Sequence, residues 1–305
     1  MVVAKSFDSF FEVLALLGGK TKIADLSRWD VERISALSYG SHGSFSTLDI
    51  YRPIKRTGSI PVVFYIHGGA FRSLSKDTHW VMGRNFARAG YMVVSINYRL
   101  APKNPYPAAI EDVCQAWMWM LENLEQYGGD SSRIAVAGES AGANLTMALA
   151  FCLLHRRSES WAQRVYDAGV TPKVLLPACG IFQVSQPERF SEKGVVQTLN
   201  FYNARDLQLC YLPNQESMTL ADPICLLEEY ELDRVVPPTF LCVGTWDPLV
   251  GDTQRMAAIL RERGGVVEER YYKREIHAFH ALIFRKQARL CWKDMIGFAD
   301  RYLKT

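Results

Sequence analysis

Arg133-Ile-Ala-Val-Ala-Gly-Glu-Ser-Ala-Gly142 is the stretch on which the fold turns. Its first five residues end in a short apolar run, Ile134-Ala-Val-Ala137, of the length and composition of a buried strand. From Ala141 to Arg156 the chain reads as a helix. Between the two stands Gly138-Glu-Ser-Ala-Gly142, a G-x-S-x-G pattern with its serine at the strand-to-helix turn. A turn that sharp forces Ser140 into a strained backbone conformation, and the flanking glycines leave room for the crossing chain. It also lifts the hydroxyl out of the sheet, at a helix N-terminus that favours negative charge. The pattern alone arises by chance in roughly one chain in ten of this length, so its placement is what gives it weight.

Outward from this turn, apolar runs alternate with helical patterns. Pro61-Val-Val-Phe-Tyr-Ile66, Tyr91-Met-Val-Val-Ser-Ile96 and Thr239-Phe-Leu-Cys-Val243 are continuous apolar runs, as in a parallel sheet covered on both faces. Val174-Leu-Leu-Pro177, Val267-Glu-Glu-Arg-Tyr-Tyr272 and Thr47-Leu-Asp-Ile-Tyr-Arg52 read as further strands. Ala108 to Tyr127 carries a single apolar stripe through Ile110, Val113, Trp117, Leu121 and Leu124, and Asp252 to Arg263 reads as another helix, ended by Gly264-Gly265. This alternation predicts an α/β fold, a mostly parallel central sheet flanked by helices. Residues 1–45 and 183–230 stand outside the rhythm. The reading divides the chain into 1–45 as the N-terminal part of a helical cap, 46–182 as the first part of the catalytic core, 183–230 as a cap insertion, and 231–305 as the rest of the core.

Composition narrows the class of function. The chain has 305 residues, 49% hydrophobic and 22% charged, enough for a large buried core. A net charge of +3, with Lys and Arg dispersed, speaks against a nucleic-acid partner. No apolar run approaches the ~20 residues of a membrane helix. Seven widely spaced cysteines form no C-x-x-C pair, and most sit in apolar stretches, so free thiols in a reducing cytoplasm are expected. Met1-Val-Val-Ala-Lys-Ser-Phe-Asp8 lacks the pattern of a secretory leader, in keeping with a cytoplasmic location.

A second chemical signal, His67-Gly-Gly-Ala-Phe71, again follows a buried strand directly. Adjacent glycines let backbone N–H groups turn toward a cavity, where they can hold the oxyanion of a tetrahedral intermediate. Gly68, Gly69 and Ala70 are the candidate donors there, and Ala141, just after the serine, is another. His67 itself is read as pinning the loop.

With both signals in place the chain resembles the hormone-sensitive-lipase family of carboxylesterases, α/β-hydrolases of bacterial esterase family IV. The resemblance rests on His67-Gly-Gly-Ala70, Tyr98-Arg-Leu-Ala-Pro102, Pro107-Ala-Ala-Ile-Glu-Asp112, Gly138-Glu-Ser-Ala-Gly142, Asp247-Pro-Leu249 and Ile276-His-Ala-Phe279, in that order. It implies Ser140 as nucleophile, His277 as base and Asp247 as the carboxylate behind the imidazole, in the α/β-hydrolase order Ser, Asp, His. It also implies hydrolysis of short-chain carboxylic esters through an acyl-enzyme, with a small-molecule ester as partner and neither cofactor nor metal; a homodimer is left open. Three positions depart from the family pattern: Ala70 replaces a third glycine, Asn97 replaces an aspartate that would pair with Arg99, and Gly251 replaces an acidic residue; Phe71 stands where Trp or Phe is usual.

Alternatives remain at several residues. His280 is the other candidate base, and His277-x-x-His280 is a thin metal pattern without a third ligand. Asp252 competes with Asp247 but suits the first turn of the next helix. Glu139 is read as structural, and Tyr202, Tyr211 and Trp246 as pocket or plain core. The same triad also serves amidases of the arylformamidase kind and lactone hydrolases, and a non-catalytic binding protein on this fold is the third reading.

Overall fold

The structure, a computed structural model, describes residues 25–190, 195–214 and 218–304. Its centre is an eight-stranded sheet in the order β1-β2-β4-β3-β5-β6-β7-β8. The strands are β1 (Val31–Ser38), β2 (Thr47–Pro53), β3 (Ile60–Ile66), β4 (Met92–Ile96), β5 (Gly129–Glu139), β6 (Val174–Ala178), β7 (Thr239–Gly244) and β8 (Val267–Tyr272). β1, β2 and β4 pair antiparallel, and every pairing from β4 onward is parallel.

The continuous apolar runs follow from burial on both faces. Along β3, Val62, Phe64 and Ile66 enter one core while Val63 and Tyr65 enter the other. On the first side lie α2 (Ala108–Asn123), α3 (Ala141–Leu154), α4 (Ser160–Asp167), α6 (Pro223–Glu229) and α7 (Val250–Glu262). On the second lie α1 (Trp80–Arg88) and α8 (Lys286–Leu303). Every residue of α3 is buried, so the helix that starts at Ser140 runs through the core rather than over it. That anchors the serine turn between two immovable elements, β5 and α3.

The cap reading needs correction at both ends. Within 1–45, residues 1–24 lie outside the described residues, and 31–38 form β1, an edge strand on β2. Its period is hidden because the register shifts between Ile34 and Leu37, where Ala36 takes φ 58°; the bulge breaks the two-residue alternation. Within 183–230, helix α5 (Val195–Tyr211) reaches over the carboxyl ends of the strands, with Leu207 and Asn203 at the site. Helix α6 instead buries Ile224, Leu226 and Leu227 in the main core. The insertion is thus divided between a cover and a core helix.

Candidate active site

Ser140 sits at φ 57° and ψ −118°, between β5 and α3, and its N–H donates to the Ala178 carbonyl at 2.9 Å. The turn works only with glycine beside it. A Cβ on Gly142 would lie 2.1 Å from the Ile66 carbonyl oxygen, a contact no side chain can make. The Ser140 hydroxyl donates to His277 Nε2 at 2.9 Å, and His277 Nδ1 donates to Asp247 Oδ2 at 2.8 Å. Asp247 follows β7 and His277 follows β8, so all three come from the same sheet edge. The other Asp247 oxygen accepts the Leu249 N–H at 2.9 Å, which fixes the carboxylate plane. Burial alone lowers the His277 pKa, but the adjacent Asp247 carboxylate outweighs it and holds the imidazole above its ordinary value.

The glycine loop is aimed by its carbonyls. His67 Nδ1 donates to the Gly68 carbonyl at 2.6 Å, and Arg72 N–H, Ser73 N–H and the Ser73 hydroxyl all converge on the Gly69 carbonyl at 3.0 Å. In a trans peptide the N–H points opposite to the C=O, so the Gly69 and Ala70 N–H groups face away from those anchors. With Ala141, their N–H groups have no protein acceptor among the described residues. Gly69 takes φ 117°, and a Cβ there would lie 2.1 Å from the Ser73 carbonyl oxygen. Gly68 is the exception to the expected donor set: its N–H is spent on Glu139 Oε1 at 2.6 Å. Among the described residues, the N–H groups left without an acceptor are therefore those of Gly69, Ala70 and Ala141, because Glu139 turns the Gly68 N–H inward.

The remaining expectations resolve by position. His67 is buried, stacks on Tyr98 with ring centroids 4.3 Å apart, and is held neutral by burial at a pKa of about 3. It pins the loop. His280 is buried against Phe279 and Trp292, its pKa pushed down to about 3 by burial, and it makes no contact with Ser140. Asp252 lies in the first turn of α7, but its carboxylate reaches across to the Phe182 N–H at 2.8 Å and to Arg189 at 2.9 Å. Arg99 is paired despite Asn97, through Asp112 at 2.8 Å and Glu111 at 2.9 Å. Asn97 instead accepts the Lys76 N–H at 2.8 Å. Among the described residues, the group spaced to hold a metal is Cys179 with Asp247 and His277, whose carboxylate and imidazole are already bonded to one another.

Two cavities meet at Ser140 and His277. The larger, about 370 Å³, lies beneath α5 and is lined by Ile181, Phe190, Leu207, Trp246 and Leu249, with Arg72 at its edge. The smaller, about 170 Å³, runs behind Gly68, Gly69 and Ala70 toward Leu74 and Met82. Trp246 is an exposed wall of the larger cavity, whereas Tyr211 is core, and the Tyr202 side chain lies outside the described residues. Phe190 and Leu207 carry no motif and were legible only as apolar residues of the insertion.

A parallel-sheet α/β fold with a serine elbow and a Ser–His–Asp hydrogen-bond chain at the carboxyl strand ends defines an α/β-hydrolase. The profile of a family described by the alpha/beta hydrolase fold matches residues 63–281, and the chain belongs to that family. Over 225 residues it is 47% identical to the Carboxylesterase NlhH of Mycobacterium tuberculosis, covering 72% of this chain and 66% of that protein. The Esterase LipI of the same organism is 32% identical over 225 residues, covering 72% of this chain and 65% of that protein. The matched stretch thus spans just under two thirds of these two relatives. Among solved structures, a bacterial heroin esterase superposes with a TM-score of 0.74 at 22% identity, covering 99% of this chain and 91% of that one. A hyperthermophilic esterase from the archaeon Pyrobaculum calidifontis gives 0.73 at 26% identity, covering 98% and 91%.

Proposed function

We propose that this protein is a serine carboxylesterase that hydrolyses short-chain carboxylic esters through an acyl-enzyme. The observation that carries the reading is the unbroken hydrogen-bond chain from the Ser140 hydroxyl through His277 to the buried Asp247, opening on two cavities. Its relatives named as esterases support it.

In this reading Ser140 Oγ attacks the ester carbonyl while His277 Nε2 takes the hydroxyl proton. The carbonyl oxygen becomes an oxyanion between the N–H groups of Gly69, Ala70 and Ala141. Collapse breaks the bond to the alkoxy oxygen, which leaves with the proton from His277. Water then attacks the acyl-enzyme, His277 takes its proton, and the second collapse returns that proton to Ser140 and releases the acid. Asp247 holds the Nδ1–H tautomer throughout and stabilises the imidazolium. The modest volumes on either side of Ser140, about 370 and about 170 Å³, support small acyl and alcohol groups.

Turnover of p-nitrophenyl butyrate by the wild type and by Ser140→Ala tests this. Loss of turnover, with one equivalent of a serine-directed phosphonate incorporated at Ser140 of the wild type, is the expected result. Retained turnover, or labelling at another serine, overturns it.

A further inference from the structure

Behind the nucleophile lies a second histidine–carboxylate contact that the reaction above does not use. Glu139, the residue before Ser140, is buried. Its Oε1 accepts the Gly68 N–H at 2.6 Å and lies 2.7 Å from His79 Nε2, and its Oε2 accepts the Tyr65 hydroxyl. His79, also buried, precedes α1. The far side of its ring settles its tautomer. Nδ1 lies 2.9 Å from the Ser75 carbonyl and 2.9 Å from Thr78 Oγ1. The Ser75 carbonyl oxygen can only accept, so Nδ1 is the donor in that contact.

A neutral imidazole with its hydrogen on Nδ1 has a bare lone pair on Nε2. A bare nitrogen and a carboxylate oxygen cannot sit 2.7 Å apart without a hydrogen between them. One proton must therefore be shared, either as carboxylic acid with neutral imidazole or as carboxylate with imidazolium. The contact has the geometry of an ion pair, but burial favours the uncharged arrangement: it pushes the Glu139 carboxyl up to about 8 and the His79 imidazolium down to about 4. Either way the pair carries one proton and no net charge.

We propose that His79 and Glu139 form a one-proton positioning pair for the oxyanion loop, whose shared proton keeps Glu139 seated on the Gly68 N–H and whose loss at alkaline pH releases Gly69 and Ala70 from their aim at Ser140. Without the proton, two lone pairs face each other across the contact. The imidazole then turns away with its hydrogen still on Nδ1, giving up Ser75, and Glu139 loses its place against Gly68. The pair borders the smaller cavity together with Ser140, so this movement is felt at the reacting atoms. Other groups facing the pair are Tyr65 on β3, His67 with its ring centroid 5.5 Å from that of His79, Cys179 after β6, and His280 across a small void it shares with Glu139. Lys76 is the nearby cation and is neutralised by Asp49 at 3.0 Å and Asp77 at 3.1 Å. Burial pushes both His67 and His280 down to about 3 and the Cys179 thiol well up, so none of the three changes charge where the pair does.

The inference rests on Ser140 being the nucleophile, and the test separates the two. kcat/KM for p-nitrophenyl butyrate is followed with pH in the wild type, H79Q and H79A, with phosphonate labelling of Ser140 in the same samples. Absence of labelling in the wild type defeats the esterase reading itself. With labelling intact, the wild type is expected to lose about eightfold between about pH 7.5 and about pH 9, as for one proton lost near pH 8. H79Q supplies an amide N–H that does not titrate, so its rate over that range should change less than about twofold while the acid limb stays. H79A, with no donor, should have kcat at least about tenfold below H79Q, with KM within about threefold. An undiminished alkaline limb in H79Q, or equal kcat in H79A and H79Q, overturns the pair. Imidazole ¹⁵N NMR of the wild type needs no variant to fold. His79 Nδ1 should stay protonated while Nε2 shifts with the same apparent pKa as kcat/KM, and a missing coincident transition overturns the proposal.

Discussion

Tyr211 lies face to face on Phe71, their ring centroids 3.8 Å apart and their planes 4° from parallel. Phe71 belongs to the oxyanion loop and Tyr211 ends α5, so the contact clamps the cover of the site to the loop beneath it. Both rings are fully buried, but among the described residues the Tyr211 hydroxyl has no hydrogen-bond partner.

That combination separates two substitutions at one position. Tyr211→Phe keeps the stack and removes the unpartnered hydroxyl, so it should be neutral or stabilising by up to about 1 kcal/mol. Tyr211→Ala removes the ring and should cost ~3–5 kcal/mol, with a fall in kcat as the loop loosens. Urea unfolding followed alongside esterase activity checks both. A Tyr211→Phe variant as damaged as Tyr211→Ala would mean that the hydroxyl, not the stack, is what matters.

The acid limb of the rate profile follows from His277. The imidazole must be unprotonated to accept the Ser140 proton, and Asp247 holds its pKa above the ordinary 6.5. The rate should therefore rise with pH through a midpoint above that value. Asp247→Asn removes the charge that raises it, so the midpoint should move down while kcat falls by about 10⁴. The pH dependence of kcat/KM in both proteins reads this directly.

Much of this site is legible in the sequence. The elbow and the glycine loop each follow an apolar run, and a parallel sheet brings the carboxyl ends of such runs to one edge, whereas Asp247 and His277 are implied by the family resemblance. What stayed hidden depends on geometry across distance. Glu139 and His79 are 60 positions apart, and no local pattern foretells that Glu139 consumes the Gly68 N–H. Strand β1 was masked by its bulge, and α1 by its brevity and by Gly83 and Arg84, which share the buried face with Met82, Phe86 and Ala87. Helix α8 is different. Ala288, Cys291, Met295 and Phe298 are a buried stripe at helical spacing, a signal present in the sequence itself.

Stability toward acid should reflect the buried neutral histidines. His67 and His280 are held by burial at about 3, against an ordinary 6.5 in the unfolded chain. Their contribution is complete above 6.5 and is lost as pH falls toward about 3, because the unfolded chain takes up protons that the folded one refuses. Each such proton adds about 1.4 kcal/mol per pH unit to the slope. His280→Met, which keeps the volume without the proton, should make the acid-side fall shallower by one such increment. Unfolding free energies measured at several pH values settle whether it does.

Acyl-chain preference should be set from the cover. Leu207 on α5 and Phe190 line the larger cavity, and Leu207 is nearly buried there. In a p-nitrophenyl series from acetate to palmitate, kcat/KM should peak among the short esters and fall steeply once the chain outgrows the space. Leu207→Ala removes about three carbons of side chain from that wall, and each methylene newly buried in substrate gains about 0.8 kcal/mol, or roughly fourfold in kcat/KM. The optimum should therefore move to a longer ester by two or three carbons, while acetate, too short to reach the wall, is turned over at its former rate. An unchanged optimum would place the limiting wall elsewhere and make the smaller cavity behind Gly69 the acyl site, a result that Met82→Ala would then convert into the same shift.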